Sequence, residues 1–198
     1  METCGIVSEF NPFHRGHQEL IRQIREKFSA DVGIVAVMSA SFTQRGEPAL
    51  CDISHRVRAA LKEGVDLIIE IPVSFVLSSA ESFAAAGIKL LQASGIVRNL
   101  AYGSEDCDAP ELIKDLATFL SDETAEFKLS LDQNIRQGMG FAAARQAAVS
   151  ECLHDKRAGA VLANSNSILA VEYEKAILRS GKELATHPLP LYHKDLFS

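Results

Sequence analysis

The sequence predicts an α/β protein, a parallel sheet with helices on both sides, followed by a helical C-terminal portion. Three observations carry that prediction. Short runs rich in Val, Ile and Leu recur along the first hundred residues and stop at turn signals. Amphipathic helical patterns lie between them. From about residue 109 the apolar spacing becomes helical. Alternation of this kind belongs to parallel βαβ units.

The first strand is expected in "CGIVSEF" and the second in "ADVGIVAVMS". The third is "VDLIIEIP", stopped by Pro72, and the fourth is "VRNLAYGSE", ended at Gly103. Near-continuous apolar runs like the first three suit strands buried on both faces. In "HRGHQELIRQIREKF", Leu20, Ile21, Ile24 and Phe28 share one helical face. "ISHRVRAALKEG" ends at Gly64, a C-cap residue, and "SAESFAAAGIKLLQASG" ends at Gly95. "APELIKDLATFL" places Leu112, Ile113, Leu116, Phe119 and Leu120 together. Two more helices are expected around a break at Gly138 and Gly140. "SNSILAVEYEKAILRSG" is another helix, opened by Ser and Asn. The segment from Lys182 onward begins with a last strand. No internal repeat, low-complexity tract or glycine-serine linker marks a domain boundary.

The 198 residues are enough to bury a sizeable core. A hydrophobic content of 47% with 23% charged residues is that of a soluble globular chain. No apolar run approaches the roughly 18 residues of a membrane span. The start, "METCGIVSEF", lacks the basic and cleavage regions of a signal peptide, so a cytoplasmic location is expected, with no membrane contact. The four cysteines are scattered without a C-x-x-C pair, which points to free thiols rather than disulfides or zinc. The net charge of −6 argues against a generally basic nucleic-acid-binding domain, although a local basic strip remains compatible with it. Nothing implies a stable protein partner.

The chemistry concentrates in "EFNPFHRGHQEL". A strand ends near Phe10, Pro12 fixes its own φ at the corner, and a helix begins between His14 and His17. The turn therefore reaches the carboxyl edge of a parallel sheet, where open α/β folds take ligands. The helix start supplies unpaired N–H groups and a positive dipole end, which suit a phosphate. Gly16 permits close approach to the backbone, and two imidazoles can donate to phosphate oxygens. A metal site is the weaker alternative. The spacing is not H-E-x-x-H, and no third His or Cys stands nearby, so no metal ligands are expected. A bland capping turn is the other alternative.

"FNPFHRGH" after a first strand resembles the H-x-G-H signature of the nucleotidyltransferase superfamily with a Rossmann-like fold. Five further stretches narrow the resemblance: "VMSASFTQRGEPAL", "HRVRAALKEGVDLIIEIPVSF", "SAESFAAAGIKLL", "YGSE" and "NSNSILAVEY". Together, over about residues 4–180, they resemble the bacterial tRNA(Met) cytidine acetate ligase family. That resemblance implies an enzyme that uses ATP, with Mg²⁺ on its phosphates, to join acetate to AMP. The acetyl group then passes to N4 of the wobble cytidine of elongator tRNA(Met). Residues 1–125 are expected to form the Rossmann-like ATP-binding core and 126–198 a helical portion completing the nucleotide site, in one compact unit. Family members continue with a second, mostly helical domain that helps hold tRNA, and this sequence is expected to lack it.

The resemblance also implies site residues. His14 and His17 would be catalytic and face the triphosphate. The ATP-binding turn would run through Gly5, Ile6, Val7, Ser8, Glu9, Phe10, Asn11, Pro12, Phe13, His14, Arg15, Gly16 and His17, with Asn11 orienting the loop or a phosphate. Gly103 would lie against the nucleotide, since only a residue without Cβ lets a ring or sugar rest on backbone. Ser104 and Glu105 would contact ribose or cap the next helix. Asn166 matches the central Asn of the family's "PNNIL", though Ser165 replaces the proline and Ser167 the second Asn. An N-cap role is its structural alternative. Gln44 and Arg45 would position acetate, a phosphate or the tRNA end, and Arg56, which matches a family arginine, would join them in contacting substrate or tRNA. The lysine of the family's "D-K-W" is absent from Asp52-Ile53-Ser54, and no arginine matches in "LPLYHKDLFS", where His193 and Lys194 stand out of pattern. Glu70 and Glu81, single carboxylates at the ligand edge, are better read as caps or ion-pair partners than as bases. Two other functions fit the same motif: a small-molecule adenylyltransferase, and a nucleotide-binding module without catalysis.

Overall fold

A computed structural model describes residues 2–191. Five strands form one sheet: β1 (Thr3–Ser8), β2 (Gly33–Ser39), β3 (Leu67–Ile71), β4 (Asn99–Ser104) and β5 (Ala185–Pro190). Their order across the sheet is β3-β2-β1-β4-β5, and every pairing is parallel. The helices are α1 (Arg15–Lys27), α2 (Ile53–Lys62), α3 (Val73–Val76), α4 (Ala80–Ala93), α5 (Pro110–Ser121), α6 (Ala125–Arg136), α7 (Phe141–Cys152), α8 (Lys156–Val161) and α9 (Ser165–Ser180). This is the α/β, Rossmann-like arrangement expected, with the last strand returning to the sheet after a run of five helices.

Alternate residues of a strand face opposite sides of a sheet, and the two cores follow that rule. Cys4, Ile6, Ile34, Ala36 and Met38 turn toward α1 and α2, meeting Ile21, Ile24 and Ala60. Val35, Val37, Leu100 and Tyr102 turn the other way, onto Phe83, Ile88 and Leu91 of α4 and Ala170 and Val171 of α9. Phe127, Ala148 and Val149 extend that second core into α6 and α7. Gly64 and Gly95 follow the ends of α2 and α4 in the left-handed region, at φ +104° and +72°, which is what a C-terminal glycine supplies.

One strand departs from expectation. β3 is not buried on both faces: Leu67 is 44% exposed and Glu70 is exposed. The reason is position, because among the described residues β3 has β2 as its one neighbour and forms an edge. At the other edge, Ala185 N donates to Arg98 O, which puts the odd residues of β5 on the β4 side. Pro188 and Pro190 belong to the other set, so their missing N–H groups cost the ladder nothing and blunt the edge.

The central feature lies between β1 and β4, where the strand order reverses. Their ladder pairs only Cys4 with Asn99 and Gly5 with Leu100. β1 by contrast pairs with β2 along its whole length. β1 and β4 therefore part toward their carboxyl ends, and this opens the crevice at which doubly wound sheets bind ligands.

α8 leads directly into α9, and its distance from α7 sets where α9 begins. A Cβ at Gly159 would stand 2.5 Å from the Gln146 carbonyl oxygen of α7. Gly159→Ala should therefore lower the unfolding free energy by about 1–3 kcal/mol, the usual range for overpacking. Urea titration of the two proteins checks this; equal midpoints would mean that the two helices part freely.

Candidate nucleotide site

The turn between β1 and α1 caps its own helix with imidazoles. His14 is the N-cap residue in extended conformation, and its Nδ1 accepts from Gly16 N at 3.1 Å. His17, three positions on, accepts from His14 N through Nδ1 at 3.2 Å. This is a reciprocal capping box in which both side chains are histidines. The rings stack, with centroids 3.8 Å apart, and Phe10 and Phe13 pack against His17 at 4.9 and 5.3 Å.

Two consequences follow. Each Nδ1 is an acceptor, so a neutral ring must carry its proton on Nε2. Burial pushes His17 down to about 3, with the neighbouring His14 adding to the effect, and burial also lowers His14. Both rings are thus neutral at pH 7, with Nε2–H as the donor edge.

Two adjoining cavities of about 340 and 440 Å³ meet at these rings. Val7, Ser8, His14, His17 and Asn166 line both. The smaller also takes in Gly16, Tyr102 and Gly103, and the larger takes in Glu9, Phe10, Asn11, Pro12, Gln44 and Arg45. Most of the residues expected from the sequence are therefore brought together.

Five are placed elsewhere. Gly5 is a packing glycine, where a Cβ would come within 2.8 Å of Leu91. Ile6 is 1% exposed within the core. Arg15 opens α1 outside both cavities, beside Gln18, Glu19 and Arg22. Arg56 is 2% exposed, and its guanidinium reaches the carbonyls of Glu9 (2.7 Å), Ser39 (3.0 Å), Cys51 (3.2 Å) and Ala40. It braces loops rather than facing a substrate, which corrects the expectation of a direct contact. Phe13 supports His17 instead of lining a cavity. His193 and Lys194 lie outside the described residues.

The segment between β2 and α2 is tied to the histidine turn. Glu9 Oε1 accepts from Gln44 N at 2.5 Å, and Asn11 Oδ1 accepts from Leu50 N at 2.7 Å. Asn11 therefore orients the loop. Glu81 pairs with Lys175 at 3.6 Å and with Arg179, in the ion-pair role expected of it. Lys175 also meets Glu172 at 2.8 Å, and Glu172 reaches Arg145 at 3.2 Å, so charges join α4, α7 and α9.

Asn166 lies inside α9; Asn164 is the N-cap residue and makes no side-chain cap. Glu105 supplies the cap from β4's end, accepting from Asn166 Nδ2, Ser167 N and Ser167 Oγ, each at 3.0 Å. Burial pulls its carboxyl up, but the bonds from Asn166 and Ser167 outweigh this and hold it below the ordinary value. Glu105 thus caps a helix some sixty residues away rather than the next one.

Sequence reading missed Leu169 and Tyr173, which line both cavities, and Phe83 and Ala80, which line the larger. A signal existed for the first two. Asn166, Leu169 and Tyr173 are spaced i, i+3, i+7 and share one helical face. Ala80 and Phe83 come from α4 and carry no polar mark. Among the described residues no three His, Cys, Asp or Glu side chains gather as a metal site, and no helix is long and apolar enough to cross a membrane.

Residues 1–193 match the family described as HIGH Nucleotidyl Transferase. The chain is similar to tRNA(Met) cytidine acetate ligases. It is 40% identical to that of Thermoanaerobacter sp. (strain X514) over 93% of this chain and 45% of the relative. It is 42% identical to that of Clostridium novyi (strain NT) over 90% of this chain and 44% of the relative. The fold is similar to a crystal structure of Thermotoga maritima TmcAL bound with alpha-thio ATP, with a TM-score of 0.89 and 34% identity, over 98% of this chain and 47% of that one. The chain spans somewhat under half the length of these relatives.

The geometry yields two expected outcomes. An unfolded His17 titrates near 6.5 and the folded one near 3. Between those values the unfolded chain binds a proton that the folded chain refuses, so this group leaves stability unchanged above pH 6.5 and lowers it as pH falls toward 3. Urea unfolding across pH 7 to 4 should show a shallower decline for His17→Gln than for the parent; parallel declines would contradict the half-buried neutral ring. Arg56→Lys keeps the charge but loses the planar fork. It should cost about 1–3 kcal/mol by leaving carbonyls unpaired, and unfolding at pH 7 measures that.

Proposed function

The chain belongs to the HIGH Nucleotidyl Transferase family, and from that premise we propose that it is an ATP-dependent ligase that activates acetate as acetyl-AMP. The acceptor in this reading is N4 of the wobble cytidine of elongator tRNA(Met). The name of the relatives at about 40% identity supports that acceptor.

One observation carries the catalytic part. The double-histidine capping box stands where β1 and β4 part, with its backbone-facing nitrogens occupied and its Nε2–H edges as donors. Neutral imidazole donors at a helix N-terminus suit a triphosphate whose negative charge grows during attack. Acetate oxygen attacks the α-phosphorus in line, the bond from that phosphorus to the bridging oxygen breaks, and pyrophosphate leaves. His14 and His17 hold the phosphate oxygens as the charge shifts. In the second step the cytidine amine attacks the acetyl carbonyl, AMP departs, and the amine loses a proton to solvent. Neither step requires a covalent enzyme intermediate.

Mg²⁺ would enter on the triphosphate and offset its charge. The side chains fit that role rather than a resident metal, because both Nδ1 atoms accept from backbone and a Glu9 oxygen accepts from Gln44 N. Gly103 lines the smaller cavity, where the missing Cβ lets Leu191 pack against the backbone, and Leu169 and Tyr173 offer an apolar wall for sugar or base. Gln44 and Arg45 reach the larger cavity, on the side open to acetate or a tRNA end.

ATP–pyrophosphate exchange with Mg²⁺, with and without acetate, tests the reading. Acetate-dependent exchange is expected, and His17→Ala should reduce it by about 10²–10³-fold, as loss of an oxyanion donor does. ATP binding with no exchange would identify a module without catalysis. Exchange that depends on a nucleotide or coenzyme precursor in place of acetate would identify a small-molecule adenylyltransferase.

A further inference from the structure

The Asn166 amide lines both cavities, and one of its two edges is already committed. Its Nδ2 donates to Glu105 Oε1 at 3.0 Å. An ionised carboxylate can only accept, so the edge of Asn166 toward Glu105 must be the amide nitrogen. Glu105 is itself immobilised, because its other oxygen stands 3.0 Å from both Ser167 N and Ser167 Oγ. Ser167 Oγ in turn lies 3.1 Å from Ser104 Oγ and 2.7 Å from Asp106 Oδ2. Among the described residues no hydrogen bond is made to Asn166 Oδ1.

We propose that Glu105 is a positioning residue that turns the Asn166 carbonyl toward the ligand, so that Asn166 reads a hydrogen-bond donor on the nucleotide and not a phosphate oxygen. This rests on the nucleotide reading above and adds a direction to it. The negative charge of Glu105, one hydrogen bond behind Asn166, repels phosphate from this end of the crevice. The phosphates then run toward His14 and His17, and the sugar or base lies toward Asn166. The donors a nucleotide can offer there are a ribose hydroxyl or the exocyclic amine of adenine. Both donate to an amide carbonyl, and the hydroxyl, unlike the amine, also accepts from an amide N–H.

Titration calorimetry with ATP, 2′-deoxy-ATP, 3′-deoxy-ATP and purine riboside triphosphate distinguishes the sources, because each analogue removes one donor group. The parent protein should bind one analogue about 3–10-fold more weakly than ATP, the size of one lost hydrogen bond. Asn166→Ala should bind that analogue and ATP equally. Glu105→Gln should narrow the same ratio, because a glutamine amide can meet either edge of Asn166. Unchanged ratios in both variants, with all four nucleotides weakened alike, would mean that Glu105 only braces α9 and would overturn the proposal. Equal binding of all four by the parent would do the same. Binding of none by the parent would overturn the nucleotide reading itself. Thermal melts accompany each variant, and if Glu105→Gln does not fold, Asn166→Ala alone decides whether the carbonyl reads a donor.

Discussion

Four carbonyl oxygens converge on the guanidinium of Arg56, and the site depends on that convergence. They belong to Glu9 beyond the end of β1, Ser39 at the end of β2, Ala40 just after it, and Cys51 before α2. They stand at the carboxyl edge of the sheet, where strand ladders stop, and the Ser39 carbonyl among them is buried and needs a partner. A single planar cation with five N–H donors satisfies them together. The outcome is mechanical, because the histidine turn and the segment behind it are held to one residue of α2. Glu9 and Asn11 then fix the same segment from the other side by accepting from Gln44 N and Leu50 N.

The opposite wall is held by a negative group. Glu105 leaves the end of β4 and caps α9, which starts some sixty residues later. A carboxylate is favourable at a helix N-terminus, both through hydrogen bonds and through the dipole. Here it also separates the polarity of the crevice. Donors stand on the β1 side, where neutral histidines cap α1, and negative charge stands on the β4 side. Ion pairs from Glu172 to Arg145 and Lys175 hold α9 at mid-length, behind the face that carries Leu169 and Tyr173.

Much of the fold was legible in the sequence. All four early strands and α1, α2 and α4 between them follow from apolar spacing, and the glycines at 64 and 95 punctuate them in the left-handed region; the short α3 was not expected. The histidine turn was legible for the same local reason, since a capping box is a contact across three residues. The periodicity of α9 would have added Leu169 and Tyr173 to Asn166. What local pattern did not disclose was exposure along β3, because an apolar run is alike at the centre and the edge of a sheet. The role of Arg56 was hidden too, because a charged side chain in an amphipathic helix is ordinarily solvated.

The sequence by itself determined the parallel α/β architecture, the position of a helix-capping turn after the first strand, and the two histidines gathered there. Those are short-range matters of period, turn chemistry and capping, which neighbouring residues decide among themselves. The tertiary structure alone decided the strand order, the parting of β1 from β4, and the partners of Arg56, Glu105 and Asn166. Those depend on which carbonyls and helix ends the packed core brings within hydrogen-bond reach. Burial then makes pairing obligatory, because a polar group removed from water costs free energy unless it finds a partner.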